Sequence, residues 1–315
     1  MDEKWTRLVH NMNPSAKLLR AWELKGGISA QVTALEMESP DGTKKKVVVR
    51  EHGQADLKRN PQIASDEFRL LQILKSADLP TPTPYHLEAA SDMFPTPCLV
   101  IEFIEGETVN APADLSSFLQ QAAEVLTRIH SVDATRLVGT SLPKQEEAIT
   151  EKLHKRPASL DKSLDEGLNR EVLESVWPLP QSNAASLLHG DFWPGNTMWK
   201  EEKLAAVIDW EDAAIGDPLS DLGNARLEIL WAFGVEAMHE FTLHYQSSAS
   251  KTLDYTQLPY WDLCAALRPA SNLSDWGLEK RIEDTMRERH SLFVMQACEK
   301  LGIPYKRHTT NESLE

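Results

Sequence analysis

The 315-residue chain is poor in cysteine, short of basic charge and without a long apolar run, and each shortage excludes a class of function. Its three cysteines, Cys98, Cys264 and Cys298, stand far apart and form no CxxC pair. A disulfide framework and a cysteine zinc site are therefore not indicated, and a reducing compartment is expected. Lysine and arginine number 33 against 48 aspartates and glutamates, a formal charge of −15. Binding to a phosphate backbone rests on a basic face, so nucleic acid is not an expected partner. The acidity suits solubility first and favours cationic small substrates only mildly. No stretch approaches the ~18 apolar residues of a membrane span, and the opening MDEKWTRLVHNMNP has no apolar signal core. A soluble cytoplasmic protein with no membrane partner is the expectation. Internal repeats and low-complexity segments are also absent, and only the last dozen residues read as a loose tail.

What is present suffices for two lobes: 41% hydrophobic residues can bury a sizeable core, and the length exceeds one small domain. KLLRAWEL, AQVTALEME and KKVVVRE, separated by Gly26-Gly27 and the turn SPDG, predict a three-strand meander. SDEFRLLQILKSA predicts a helix capped by Ser65 or Asp66, with Phe68, Leu70, Leu71 and Leu74 on its apolar face. Prolines 80, 82 and 84 then impose an extended connector. CLVIEFIEGETV predicts a buried strand running into an acidic loop. From residue 114 the pattern turns helical, with Phe118, Ala122, Val125, Leu126 and Ile129 on one stripe, and with helices over most of 145–177, 219–248 and 255–300. The reading is an α+β chain: a small N-terminal lobe over 1–104, a linker over 105–113, a helical lobe over 114–303 and a tail over 304–315.

One short stretch of the helical lobe is chemically crowded. LLHGDFWPGN is followed by TMWK, EEK and LAAVIDW, a strand, turn and strand that return the chain so that Asp209 comes close to Asn196. Asp191, Asn196 and Asp209 are then expected to converge, and two carboxylates with a carboxamide oxygen suit Mg²⁺ better than zinc. HGD with Asn five residues on, an IDW carboxylate 18 residues beyond Asp191, and GDPLSDL resemble the aminoglycoside phosphotransferase and choline kinase superfamily. The resemblance is strongest over 187–226 and implies a protein-kinase-like, two-lobed fold with a small antiparallel sheet and a larger helical lobe. It also implies a Mg²⁺-dependent enzyme that moves a phosphoryl group from ATP or GTP to the hydroxyl of a small-molecule acceptor.

On that resemblance Asp191 takes the role of base, and Asn196 and Asp209 hold the metal. Gly26, Gly27 and Ser29 would approach the phosphates, and Arg50 stands where protein kinases carry a phosphate-binding lysine, with Glu67 as its partner. Without the resemblance, Arg50 and Glu67 read as an ordinary surface pair and the glycines as a plain hairpin turn. Backbone groups of Glu102 and Ile104 would read the purine edge. His189, Asp217 and Asp221 are expected to brace the loop rather than touch phosphate. Glu211, Asp212 and Trp276, with the acidic positions 275, 279, 283 and 284, would suit an amine-bearing or sugar alcohol. No DFG and no APE-bounded segment occur, which argues against a protein kinase. The other class of function compatible with these motifs is a catalytically silent nucleotide-binding module acting through partners.

Overall fold

The computed structural model describes residues 2–24, 30–249 and 252–306, which divide into two compact units. The first takes in residues 1–107 together with two later segments, 135–141 and 205–211. Helix α1 (Asp2–Met12) precedes strands β1 (Lys17–Glu23), β2 (Ala30–Glu38) and β3 (Lys44–His52). Helices α2 (Gln54–Arg59) and α3 (Ile63–Ser76) lead to β4 (Pro84–Glu88) and β5 (Cys98–Glu102). The five strands form one antiparallel sheet in the order β1-β2-β3-β5-β4. Their period-2 alternation assigns the faces: Leu35 pairs with Val47 and Val49 with Val100, and these residues turn to one side. That side packs with Trp5, Leu8 and Val9, spaced i, i+3, i+4 along α1, and with Phe94. Arg50 and His52, one register step away, point to the opposite face, where α3 supplies Glu67.

Three local readings need correction. Helix α3 begins at Ile63, two residues before the expected cap, because Asn60 Oδ1 accepts the Gln62 amide (2.9 Å) and sets the entry turn. Ser65 lies inside the helix and donates back to the Gln62 carbonyl (2.8 Å). The proline connector is extended, as read, but its end pairs as edge strand β4, with Pro84 at the first position, where a missing donor is tolerated. Helices α1 and α2 were not anticipated.

The second unit comprises 108–134, 142–204 and 212–315. Its helices are α4 (Leu115–His130), α5 (Gln145–His154), α6 (Glu166–Val176), α7 (Pro218–Phe233), α8 (Val235–Ser248), α9 (Leu258–Ala266) and α10 (Lys280–Leu301). Asp114 caps α4 by accepting the Ser117 amide (3.0 Å), and the predicted stripe of α4 is buried throughout. Short strands β6 (Ser186–Leu188) and β9 (Ala214–Gly216) pair, and β7 (Thr197–Lys200) with β8 (Lys203–Val207) makes the expected hairpin. Glu201 and Glu202 form its turn, both at positive φ. Strand β8 stops at Val207, short of Asp209, which takes a left-handed φ of +67°. The architecture is α+β: a five-stranded antiparallel sheet in one unit and a mainly helical second unit.

Candidate active site

In the second unit, buried β6 delivers the chain into the loop from His189 to Asn196. Gly190 sits at φ +83°, and a Cβ there would lie 1.9 Å from the Asp212 carbonyl oxygen, so only glycine allows this close approach. The loop backbone is held from below by Asp221 of α7, which is 2% exposed and accepts the amides of His189 (2.6 Å) and Gly190 (3.0 Å). His130 Nε2 reaches the same carboxylate (3.2 Å), and Tyr245 lies against its Nδ1 (2.6 Å). Burial alone would raise the Asp221 pKa, but these hydrogen bonds and the neighbouring histidines hold it below the usual carboxylate range. His189 is fully buried, and its Nδ1 accepts the Asp191 amide (3.2 Å). Asp217 caps α7 by accepting the Leu219 amide (2.9 Å), with Pro218 at the first helical position.

What this bracing presents is the Asp191 carboxylate, with about a third of the side chain open to solvent. Asn196, in a single 3₁₀ turn, spends its amide nitrogen on Asp191, donating to the carbonyl (2.9 Å) and to Oδ2 (3.1 Å). The carboxamide oxygen is then the atom it can offer to a cation. Arg268, just beyond α9, donates to Asp191 Oδ1 (2.7 Å) and to the Gly190 carbonyl. Sequence reasoning missed Arg268: it lies 77 positions from Asp191 and belongs to no spaced motif.

In the first unit, Arg50 is the hub. Its guanidinium donates to Glu67 (3.1 Å), Asp209 (2.8 Å) and Glu211 (3.0 Å). The Arg50 and Glu67 side chains are 9% and 3% exposed, so the surface-pair reading is excluded. Burial opposes the charge on Arg50, but the three carboxylates outweigh it and raise its pKa. Burial likewise works against ionised Glu67, yet Arg50, aided by His52 at 3.2 Å, holds it below the usual carboxylate range. Glu211, expected at the acceptor, is instead bound by Arg50. Glu102 donates its amide to Thr83 (2.8 Å) and accepts from Thr83 with its side chain, so its amide is not available to a purine. Ile104 lies just past β5. Gly26, Gly27 and Ser29 lie outside the described residues.

Trp276 is 46% exposed and meets Trp231 edge-on at 6.0 Å, and Asp212 lies under Gly190. Taken unit by unit, the donor chemistry is of the kind magnesium takes: in the first, Asp209 keeps one carboxylate oxygen beyond the one bound by Arg50, and in the second, Asn196 keeps its amide oxygen. Among the described residues no group of three or more histidine, cysteine or acidic side chains could hold a metal by itself. Mg²⁺ on phosphates needs only one or two protein oxygens. No helix among the described residues is long and apolar enough to cross a membrane.

The model of the phosphotransferase enzyme family matches residues 23–266. Acyl-CoA dehydrogenase family member 10 of Mus musculus is 28% identical over 195 residues, 58% of this chain and 18% of that protein. The chain thus spans under a fifth of that relative's length. Viomycin phosphotransferase of Streptomyces vinaceus is 26% identical over 174 residues, covering 49% of this chain and 58% of that one. Among solved structures, the GDP and kanamycin complex of APH(2")-IIia superposes with a TM-score of 0.65 at 17% identity, over 94% of this chain and 98% of the other, a likeness of fold.

Proposed function

The chain belongs to the phosphotransferase enzyme family, and from that premise we propose that it moves the γ-phosphoryl group of ATP or GTP to a hydroxyl of a small molecule. The observation that carries the reading is the loop 189–196, where Asp221, His189 and Asn196 tie down the surrounding groups and leave the Asp191 carboxylate presented to solvent. Such a carboxylate accepts the acceptor's hydroxyl proton as the new O–P bond forms and the bridging P–O bond to the nucleoside diphosphate breaks. Asn196 and Asp209 are the residues that would hold Mg²⁺, which supplies neutralisation of phosphate charge.

Arg50 contributes a fixed cation whose position Glu67 secures, and a guanidinium fork matches phosphate oxygens. Gly26, Gly27 and Ser29 are assigned to the phosphates, and the Glu102 carbonyl with the Ile104 backbone to the purine. Residues 1–104 would serve the nucleotide, 105–113 the linker, and 114–303 the base and acceptor, with 304–315 as a tail of which 307–315 lie outside the described residues. Support for a purine nucleotide comes from the fold relative that binds GDP.

Thermal unfolding with MgATP and MgGTP, each with and without the metal, tests this. A nucleotide at 100 times its dissociation constant adds about 2.7 kcal/mol, a rise of several degrees at about 2 °C or more per kcal/mol. In Asp209→Ala the metal-dependent part of that rise is expected to disappear. No rise with either nucleotide would overturn the assignment in favour of a silent module.

A further inference from the structure

In a chain of net charge −15, Asp191 has a guanidinium beside it. Arg268 shares the carboxylate's surface, with 37% of its side chain exposed, and uses one nitrogen on Asp191 and another on Gly190. A guanidinium carries five N–H donors, so these two bonds leave others. Behind it, Lys152 of α5 donates to the Arg268 carbonyl (3.3 Å). Burial, with Arg268 and Arg170 adding repulsion, brings the Lys152 pKa down to about 8. Arg170 is matched by Glu166 (2.9 Å).

Glu228 lies seven residues after Asp221, on the same face of α7. Burial, opposed by Arg268 and reinforced by Asp191, pushes its carboxyl up to about 8. Three of the carboxylates expected to draw an amine are bound elsewhere. Glu211 is on Arg50 (3.0 Å), Glu283 on Arg287 (2.6 Å) and Asp284 on Lys280 (2.6 Å). Beside the base, then, Arg268 offsets the charge of Asp191 and keeps guanidinium N–H groups for a second anion.

We infer that the acceptor is an oxyanion-bearing alcohol, a hydroxy compound carrying a carboxylate or phosphate, whose negative group is read by Arg268 beside Asp191. The inference deepens the phosphotransfer reading and rests on it. The planar fork of Arg268 fits either oxyanion. As the oxyanion takes part of that fork, Asp191 gives up a hydrogen bond and gains a lone pair for the incoming hydroxyl proton.

The test titrates inorganic phosphate and, separately, malonate into the wild type, Arg268→Gln and Arg268→Lys, following thermal unfolding at ionic strength matched with sodium chloride. Each titration is run with and without Mg²⁺ and a non-hydrolysable nucleotide, whose own shift reports separately on the phosphotransfer reading. The wild type is expected to show a saturable rise, with its midpoint about tenfold or more higher in Arg268→Gln and intermediate in Arg268→Lys, which keeps charge but not the fork. Phosphate and malonate distinguish the two oxyanions. No saturable response in the wild type, or equal midpoints in wild type and Arg268→Gln, would overturn the inference. So would turnover of kanamycin at the same rate in both proteins.

Discussion

Replacing Arg50 by methionine removes a cation shared by Glu67, Asp209 and Glu211 while keeping much of the side-chain volume. Glu67, 3% exposed, would be left, among the described residues, with His52 at 3.2 Å. Removing one partner of a buried ion pair costs about 3–5 kcal/mol, because the other charge stays desolvated. For a chain this long that corresponds to a fall in Tm of about 6–10 °C. The paired change Arg50→Met with Glu67→Leu is expected to recover most of the loss, since an apolar replacement of a buried pair is often neutral. The effect carries a pH signature. In the wild type the Glu67 pKa is depressed, so its contribution is present above the unfolded carboxylate value of about 4.3 and is lost as pH falls through the folded pKa. In Arg50→Met burial without the guanidinium raises that pKa, and the contribution reverses: present at low pH, lost as pH rises. The stability gap between the two proteins therefore widens from pH 4 to pH 7. Urea unfolding followed by tryptophan fluorescence measures it as a change in midpoint at constant slope. A gap under about 1 kcal/mol, or one that does not vary with pH, would refute the reasoning.

Asp191→Asn keeps the hydrogen bond from Asn196 within reach but removes the base, so kcat should fall by about 10²–10⁴ with the nucleotide-induced thermal shift unchanged; a coupled assay for the nucleoside diphosphate checks the first and unfolding the second. Asp217→Ala removes the α7 cap, about 1 kcal/mol, and also the acceptor of the Asn183 amide (3.2 Å), so urea unfolding should show a loss above the cap alone; no loss would count against both contacts. His290 is buried against the Leu164 carbonyl (3.0 Å), and its pKa is pushed by burial down to about 4. The folded state therefore prefers the neutral ring, and stability present above about pH 6.5 is lost as pH falls from there toward 4, by about 3 kcal/mol. His290→Gln should flatten that acid limb, and an unchanged limb would count against the assignment.

Legibility in the sequence followed distance along the chain. The loop from His189 to Asn196 and the cap at Asp217 could be read because their partners lie within a few positions or follow a fixed spacing. Strand and helix patterns of the meander and of α4 declared themselves by period. Arg268 did not, since nothing local ties an arginine before Pro269 to a carboxylate 77 residues earlier. Glu211 was read toward the acceptor because it neighbours Asp209. The positive φ at Asp209 ends the strand geometry on which that reading relied, and both carboxylates meet Arg50. Helix α1 was overlooked although Trp5, Leu8 and Val9 keep helical spacing. A test for a signal segment weighs charge and apolar length in that stretch and is blind to amphipathic spacing.

The first compact unit borrows residues 135–141 and 205–211 from far along the chain. Gly139 accepts from Arg69, and Val207 donates to Pro80 (2.7 Å), so both borrowed segments close hydrogen bonds of that unit. During synthesis at about 5–20 residues per second, the ribosome needs on the order of ten seconds to pass from residue 107 to residue 211. Over that interval the nascent sheet gains 135–141 early but lacks 205–211 to the end, and Arg50 and Glu67 wait without Asp209 and Glu211. A chaperone that shields nascent chains has its longest opportunity there, and cutting the gene after residue 107 would yield an unfinished unit.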